Sequence, residues 1–338
     1  MRDGVVLIPD IVLARLCEKA LPDARLAGLS LLISSASATR PLTTGTLKCL
    51  KRHLPHMFAD VDANFRGEVH SHFQALTNRL RAILAVLARQ KAKKAGSQQV
   101  TFKHDAANHN YIANPEQART VYSGHLNFII WTLKFLEGEL VSTAAYQRHI
   151  SALKALSVLL RSGLDAGVSL DDLAKSARGE VRWPLHLKIM SSTLRRSLMD
   201  LLLDPFDDIR QAALEVLLID QSSSASDHHQ VSANGDHLQL ERTLGKAQEI
   251  MVRTGRVDQA DGVARLYTLV VHNHLLSAHA SSATGVVEDL VQTLEQSLDI
   301  ASTDMSLAVR NHPIHGLLTA LRYIDTGTPC SISAYIVE

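Results

Sequence analysis

The amino-acid sequence predicts an all-α protein built from stacked pairs of helices. Apolar residues recur with the 3.6-residue period of a helix through most of the chain, and the alternation typical of a half-buried strand is almost absent. Hydrophobic residues make up 46% of the 338 residues, while aromatic residues make up only 4%. The core would therefore consist mainly of Leu, Ala and Ile, a composition that suits helices better than sheets.

The clearest helix pair lies in residues 198–218. An apolar helix runs into Asp204 and Pro205, an acidic turn follows, and a second amphipathic helix begins near Arg210. Pro205 cannot continue the first helix, and Arg210 is placed to reach back to an acid of the turn. This pattern resembles the HEAT repeat, whose units bury their apolar faces only by stacking on one another. The predicted fold is thus a HEAT/armadillo-like helical-repeat solenoid.

The same spacing occurs at two other places. Asp60 and Arg66 repeat the spacing of Asp204 and Arg210, and so do Asp304 and Arg310. Acids and arginines also meet by chance at helix starts. Three occurrences at equal spacing, each before an amphipathic helix, favour a structural repeat.

The predicted organisation alternates helical blocks with polar connections. In chain order we expect helices with a basic surface over 1–89, a basic and polar loop over 90–114, helices over 115–219, a disordered loop over 220–237, helices over 238–325, and a truncated tail over 326–338. The tail is apolar, whereas a solenoid normally closes with a polar cap, so we expect the sequence to be a piece of a longer protein.

No catalytic or cofactor motif is visible. The sequence lacks a phosphate-binding glycine loop, a G-x-S-x-G elbow and an H-E-x-x-H pair, so we expect neither catalytic residues nor a bound cofactor. The 17 histidines do not show the spacing of metal ligands, and the three cysteines are scattered. The cysteines are typical of small buried residues in a reducing compartment.

We expect the protein in the cytosol, with the nucleus as the alternative, and no contact with a membrane. The first ten residues, MRDGVVLIPD, contain acids and a proline where a signal peptide needs an unbroken apolar segment. No run of residues approaches the ~18 apolar residues of a membrane span.

A basic segment is the best candidate for a binding site. The net charge is only +1, yet residues 40–104 hold twelve Lys and Arg against three acids. An ordinary solvated face and an RNA-binding surface both remain open explanations. With few aromatic residues available for stacking, an RNA contact would be made to phosphates. The candidate RNA-binding residues are Lys48, Lys51, Arg52, Arg79, Arg81, Arg89, Lys91, Lys93 and Lys94.

Several blocks resemble a known family. In residues 26–54 a helix of small and apolar residues leads to a serine-rich turn, to Arg40-Pro41 and to a further helix, and Phe65-Arg66 follows after Pro55. Together with blocks at 201–218, 261–266 and 311–323, this order resembles the thyroid-adenoma-associated (THADA) family and its fungal relatives.

The resemblance implies a non-catalytic subunit that works with a separate methyltransferase. Together they would methylate the ribose 2′-hydroxyl of cytidine 32 in the tRNA anticodon loop. The protein would bind tRNA and the catalytic subunit, and S-adenosylmethionine would bind only to that partner. The alternative is a generic HEAT-repeat adaptor for protein–protein interaction.

Overall fold

The computed structural model describes residues 8–35, 37–92, 115–141, 143–165, 187–221 and residue 292. Within these ranges the regular secondary structure is helical, and no strand occurs. The helices are α1 (Asp10–Cys17), α2 (Pro22–Ile33), α3 (Thr44–Phe58), α4 (Ala63–Ala92), α5 (Pro115–Glu139), α6 (Tyr146–Arg161), α7 (Ser192–Leu201) and α8 (Asp207–Gln221). The prediction of an all-α chain is confirmed for the described residues.

The chain divides into two compact units, of which the first contains α1 to α6 and the second contains α7 and α8. None of the described helices is both long enough and apolar enough to cross a membrane. Helix α8 continues to Gln221, so the disordered loop predicted over 220–237 does not begin at residue 220. The rest of that loop, the helices predicted over 238–325 (apart from residue 292) and the tail over 326–338 lie outside the described residues.

Local sequence explains where several helices begin. Pro22 opens α2, and Pro115 opens α5 with Glu116 beside it, because a first-turn proline loses no helical hydrogen bond. The Thr43 hydroxyl caps α3 by accepting from the Thr46 N–H at 3.0 Å. Ser191 caps α7 in the same way through the Leu194 N–H at 3.0 Å.

Helix α4 is the centre of the first unit. It packs against α2, α3, α5 and α6, and an apolar stripe with the 3.6-residue period of its sequence is buried from Phe65 to Leu87. This stripe consists of Phe65, Val69, Phe73, Leu76, Leu80, Ile83, Leu84 and Leu87. The helix continues to Ala92, so the loop predicted from residue 90 begins further along the chain. The rest of that loop lies beyond the described residues.

Helices α1 and α2 approach closely at Gly28. A Cβ atom on Gly28 would lie 2.9 Å from Cys17 Sγ and 3.1 Å from the Cys17 backbone nitrogen, so only glycine fits here without a shift. The Cys17 thiol lies next to the Cys49 thiol of α3, and both cysteines are buried and form no disulfide. Burial, followed by the neighbouring Cys49, raises the pKa of Cys17 to about 12. The predicted buried cysteines are confirmed at these two positions.

The repeated Asp–Arg spacing forms the same turn in both units. In the second unit Asp204 Oδ1 accepts from the Phe206 N–H at 2.9 Å, and Arg210 Nη1 donates to the carbonyl oxygens of Asp204 and Pro205 at 2.7 and 3.1 Å. In the first unit Asp60 Oδ1 accepts from the Asp62 N–H at 3.0 Å. The equivalent arginine, Arg66, donates to the carbonyl oxygens of Asp60 and Val61.

The predicted contact between Arg210 and an acid of the turn is confirmed, and backbone carbonyls are additional partners. Arg210 does approach an acid, since its Nη2 lies 3.3 Å from Asp207 Oδ1, but its shorter bonds go to backbone carbonyls. Turn carbonyls lack a helical partner, and a buried guanidinium supplies the donors that they need. The third predicted copy, Asp304 with Arg310, falls outside the described part of the chain.

Candidate nucleic-acid interface

Three of the predicted RNA-binding residues lie on α3 and reach solvent. Lys48 is exposed, and Lys51, one turn further along, is partly exposed. The Lys51 Nζ lies 5.6 Å from the centroid of the Trp131 ring on α5. Arg52 leaves 72% of its side chain exposed and pairs with Glu18 at 2.9 Å, a solvated ion pair that is easily exchanged. The outer face of α3 is therefore positively charged and accessible.

Arg79 was predicted as an RNA-binding residue, and this prediction is contradicted by its environment. The residue is only 8% exposed, and its guanidinium donates to the backbone carbonyls of Ile33 and Ser34 at the end of α2. A further bond of 2.9 Å reaches the carbonyl oxygen of Arg40. Burial, and then the nearby Arg40, lower the pKa of Arg79. Arg79 therefore anchors the connection between α2 and α3 rather than facing RNA.

The remaining predicted residues divide into two groups. Arg81 is buried at 9% exposure on α4, a helix that has neighbouring helices on several sides. The sequence pattern placed Arg79 and Arg81 off the apolar stripe but could not show that other helices cover that side as well. The backbone of Arg89 and Lys91 belongs to α4, but the structure does not describe their side chains. Lys93 and Lys94 lie beyond the described residues.

His125 holds the same α2–α3 connection from the opposite side. Its Nε2 accepts from the Leu42 N–H at 3.0 Å, so its Nδ1 carries the proton and donates to the Val121 carbonyl at 2.7 Å. The pKa of His125 is lowered, mainly by burial, which keeps the ring neutral. Arg79 and His125 together fix the segment that contains Arg40-Pro41. Sequence reasoning missed His125, because no local pattern links it to a residue 83 positions away.

Asp60 also connects elements distant in sequence. Arg25 Nη1 of α2 lies 2.7 Å from Asp60 Oδ2, and the Arg25 guanidinium carbon lies 4.2 Å from the centroid of the Phe65 ring. The sequence identified Asp60 through its turn but gave no indication of Arg25. This pair ties α2 to the turn before α4 and thereby supports the helix that carries Lys48 and Lys51.

Four aromatic rings form a ladder beside the basic face of α3. Phe58 stacks on His70 at a centroid distance of 5.1 Å and on Phe135 at 6.1 Å. Phe135 in turn stacks on Trp131 at 5.6 Å, with the two planes only 8° apart. Phe58 is fully buried, and Trp131 is partly exposed. The low aromatic content of the sequence concealed this arrangement, since its members come from three helices.

The described residues show no metal centre. No group of three or more His, Cys, Asp or Glu side chains among them is placed to hold an ion. A small cleft of about 360 Å³ lies by α1 and α3, lined by Cys17, Glu18, Lys19, Ala20, Arg25, His53, His56 and Met57. His53 is buried and its pKa is lowered, mainly by burial, so the ring is held neutral.

Comparison with known protein families identifies the family of this chain. The family described as "Trm732, TPR repeats" matches residues 5–211, which include every one of the helices α1 to α7. The chain belongs to this family. The prediction of a helical-repeat protein is thereby confirmed, although the family's own description names TPR repeats where the sequence suggested HEAT repeats.

A curated relative extends the similarity over most of the chain. It is the "tRNA (32-2'-O)-methyltransferase regulator trm732" of Schizosaccharomyces pombe, which is 24% identical over 309 residues. The alignment covers 89% of this chain but only 18% of the relative. The chain thus spans less than a fifth of the length of this much longer protein.

Two solved structures of engineered proteins align along most of the chain. They are 12% and 13% identical, cover 95% and 94% of this chain and 98% and 68% of their own, and give TM-scores of 0.32 and 0.29. TM-scores this low do not establish a shared fold.

Proposed function

We propose that this Trm732-family chain is a non-catalytic regulator of a tRNA (cytidine 32) 2′-O-methyltransferase, which binds tRNA and the catalytic subunit. The observation that carries the proposal is the similarity, over 89% of the chain, to a relative that is named as such a regulator. Kinship with the THADA proteins, suggested by the sequence blocks, belongs to the same proposal. So does a location in the cytosol or nucleus.

The proposed tRNA contact uses the basic face of α3. Lys48 and Arg52 are exposed, and the partly exposed Lys51 lies 5.6 Å from the centroid of the Trp131 ring. Among the described residues Lys48 forms no ion pair, so its ammonium is available to a phosphate. Such contacts release counterions and depend little on base sequence. Lys91, Lys93 and Lys94, which the sequence predicts as further RNA-binding residues, belong to the same proposal.

The catalytic partner would bring the methyl donor. In this proposal the chain binds the tRNA, and S-adenosylmethionine binds only to the methyltransferase subunit. Isothermal titration calorimetry of this chain with S-adenosylmethionine should therefore give no binding heat. A micromolar affinity would contradict the non-catalytic role.

A salt titration of tRNA affinity tests the RNA contact. We expect the affinity of the 338-residue chain to fall steeply with salt, and Lys48→Glu to lower both the affinity and the slope, by roughly one unit for each lost phosphate contact. The triple change of Lys91, Lys93 and Lys94 to Glu should have a larger effect. Arg161→Glu at the exposed end of α6 is the matched control and should leave the slope unchanged.

The partner is tested by affinity purification from the source cells. A tRNA 2′-O-methyltransferase should be recovered with the tagged chain, and tRNA should accompany it. If the charge reversals leave tRNA affinity and slope unchanged, and acidic protein ligands are recovered instead, the protein-adaptor function is the better explanation.

A further inference from the structure

Building on the proposed tRNA binding, we propose that Trp131 is a stacking site for one unpaired base of the bound RNA, with Lys48 and Lys51 holding the adjoining phosphates. The proposal combines two observations on one surface. A ladder of stacked rings ends at a partly exposed indole, and Lys51 of α3 lies beside that end, with the exposed Lys48 one turn earlier on the same helix.

The stacked rings hold the Trp131 indole in a fixed orientation before a base binds. The planes of Phe58 and His70, of Phe58 and Phe135, and of Phe135 and Trp131 differ by 20°, 22° and 8°. The buried Phe128 supports Trp131 from a second direction, with a centroid distance of 5.7 Å. A ring held on two sides has little conformational freedom left to lose when a ligand binds. A nucleobase would extend the same stack by one ring.

The lysines supply the second half of a nucleotide site. Lys51 Nζ lies 5.6 Å from the Trp131 centroid, which is within the range of a cation–π interaction. The Lys51 side chain is long and partly exposed, so it can leave the ring for a phosphate as the base arrives. Lys48 lies one helical turn earlier on α3, at the spacing of residues that share a face. An aromatic ring with neighbouring cations is the usual device for holding unpaired bases.

This site recognises an unpaired nucleotide and not a duplex. A base inside a helix presents only its edge, whereas a loop base can turn out and offer its face. Stacking on an indole tolerates any base, so the site would select loop over stem without selecting a sequence. The lysines alone would bind stem and loop phosphates alike.

Tryptophan fluorescence provides the test. The chain has two tryptophans, Trp131 and Trp183, so Trp183→Phe leaves Trp131 as the only reporter. We expect its emission to be quenched by tRNA and by an isolated stem-loop RNA, and not by a duplex of matched length. This measurement leaves Trp131 itself intact, so it does not depend on the folding of a Trp131 variant.

Affinity measurements on labelled tRNA provide the second readout. Trp131→Leu should weaken binding roughly 5- to 150-fold, which corresponds to the ~1–3 kcal/mol found for stacked bases. The salt slope should stay the same, because no phosphate contact is lost, and Trp131→Phe should restore most of the affinity. Lys48→Glu should instead change the slope.

These outcomes separate the two proposals. If tRNA binds with a steep salt slope, but Trp131 emission stays constant and Trp131→Leu binds like the parent, the stacking site is disproved while the proposed function stands. If labelled tRNA does not bind at any salt concentration, the tRNA-binding function fails, and the stacking site fails with it. Quenching by an acidic peptide and not by RNA would also overturn the stacking site.

Discussion

Arg210 Nη1 lies 2.7 Å from the carbonyl oxygen of Asp204, six residues earlier in the chain. Arg66 makes the equivalent bond to Asp60, and in both turns the aspartate side chain accepts an N–H from the residue two positions later. At the two described occurrences, the repeated spacing thus corresponds to the same set of hydrogen bonds. The turns are closed by these bonds, which order the chain between consecutive helices.

The first prediction concerns this arginine. Arg210→Ala should lower the free energy of unfolding by ~1–3 kcal/mol, because two turn carbonyls lose their donor in a site where the arginine is only 6% exposed. Arg210→Lys should recover only part of the loss, since a lysine lacks the planar fork. Urea denaturation measures both changes. Arg196→Ala, at an exposed position on α7, is the control, and an equal loss there would show that the turn bonds have no special role.

The second prediction compares two helical glycines. Gly28→Ala should destabilise the protein, because the new methyl group would lie 2.9 Å from Cys17 Sγ and 3.0 Å from Leu16 Cβ. Gly67→Ala on α4 should stabilise it by roughly 0.5–1 kcal/mol, since the new methyl meets no atom within 4 Å and alanine favours the helix. Thermal denaturation of the two variants gives the test, and the same sign for both would contradict it.

The third prediction is a loss of stability in weak acid. His70 has both ring nitrogens buried without hydrogen bonds, and burial, followed by the charges of Lys154 and Arg66, lowers its pKa to about 4. A histidine whose pKa is lowered in the folded state does not reduce the free energy of unfolding above the ordinary pKa of 6.5. It reduces that free energy progressively as the pH falls from 6.5 towards 4. Protonation of His70 should lower the free energy of unfolding by about 3 kcal/mol.

Removal of the titrating ring tests this explanation. His70→Leu should retain more of its neutral-pH stability at pH 4 than the parent does, as measured by urea midpoints. His72→Leu, two residues along the same helix, is the control and should keep the parent's acid response. His125 remains in His70→Leu, so the acid response of that variant should become smaller without vanishing.

The fourth prediction places a second loss at lower pH. Burial raises the pKa of Asp60, but the Asp62 N–H and then Arg25 outweigh it, so the pKa lies below the usual 3.8. Its stabilising contribution is present above 3.8 and is lost as pH falls through the lowered value. Asp60→Asn should be less stable than the parent at neutral pH and should lose less on strong acidification. Glu68→Gln, exposed on α4, serves as the control.

Periodicity was sufficient to predict the helices of the described chain. The stripe from Phe65 to Leu87 was buried as expected, because a 3.6-residue repeat depends only on local geometry. The bounds of α4 and the start of α7 were less accurate, since helix ends depend on caps and on neighbouring elements. The recurrence of Asp60 with Arg66 and of Asp204 with Arg210 identified a real structural unit.

The candidate site was predicted less well than the fold. Lys48 and Arg52 reach solvent, but Arg79 satisfies the carbonyls at the end of α2. Sequence gives the charge of a residue, and only packing shows whether that charge meets water or a neighbouring helix. Trp131 was missed for the same reason, because its ladder is assembled from residues that lie far apart in the chain.

The contact between Cys17 and Cys49 has a kinetic consequence. The two sulfurs lie between α1 and α3, and both side chains are buried, at 5% and 8% exposure, with Cys17 at the wall of the small cleft. Because the pKa of Cys17 is about 12, its thiol is hardly ionised at neutral pH, so an alkylating reagent reacts with it mainly in molecules in which α1 has detached. The rate of alkylation therefore measures how often the first helix opens, and the chain carries this reporter without any engineered label.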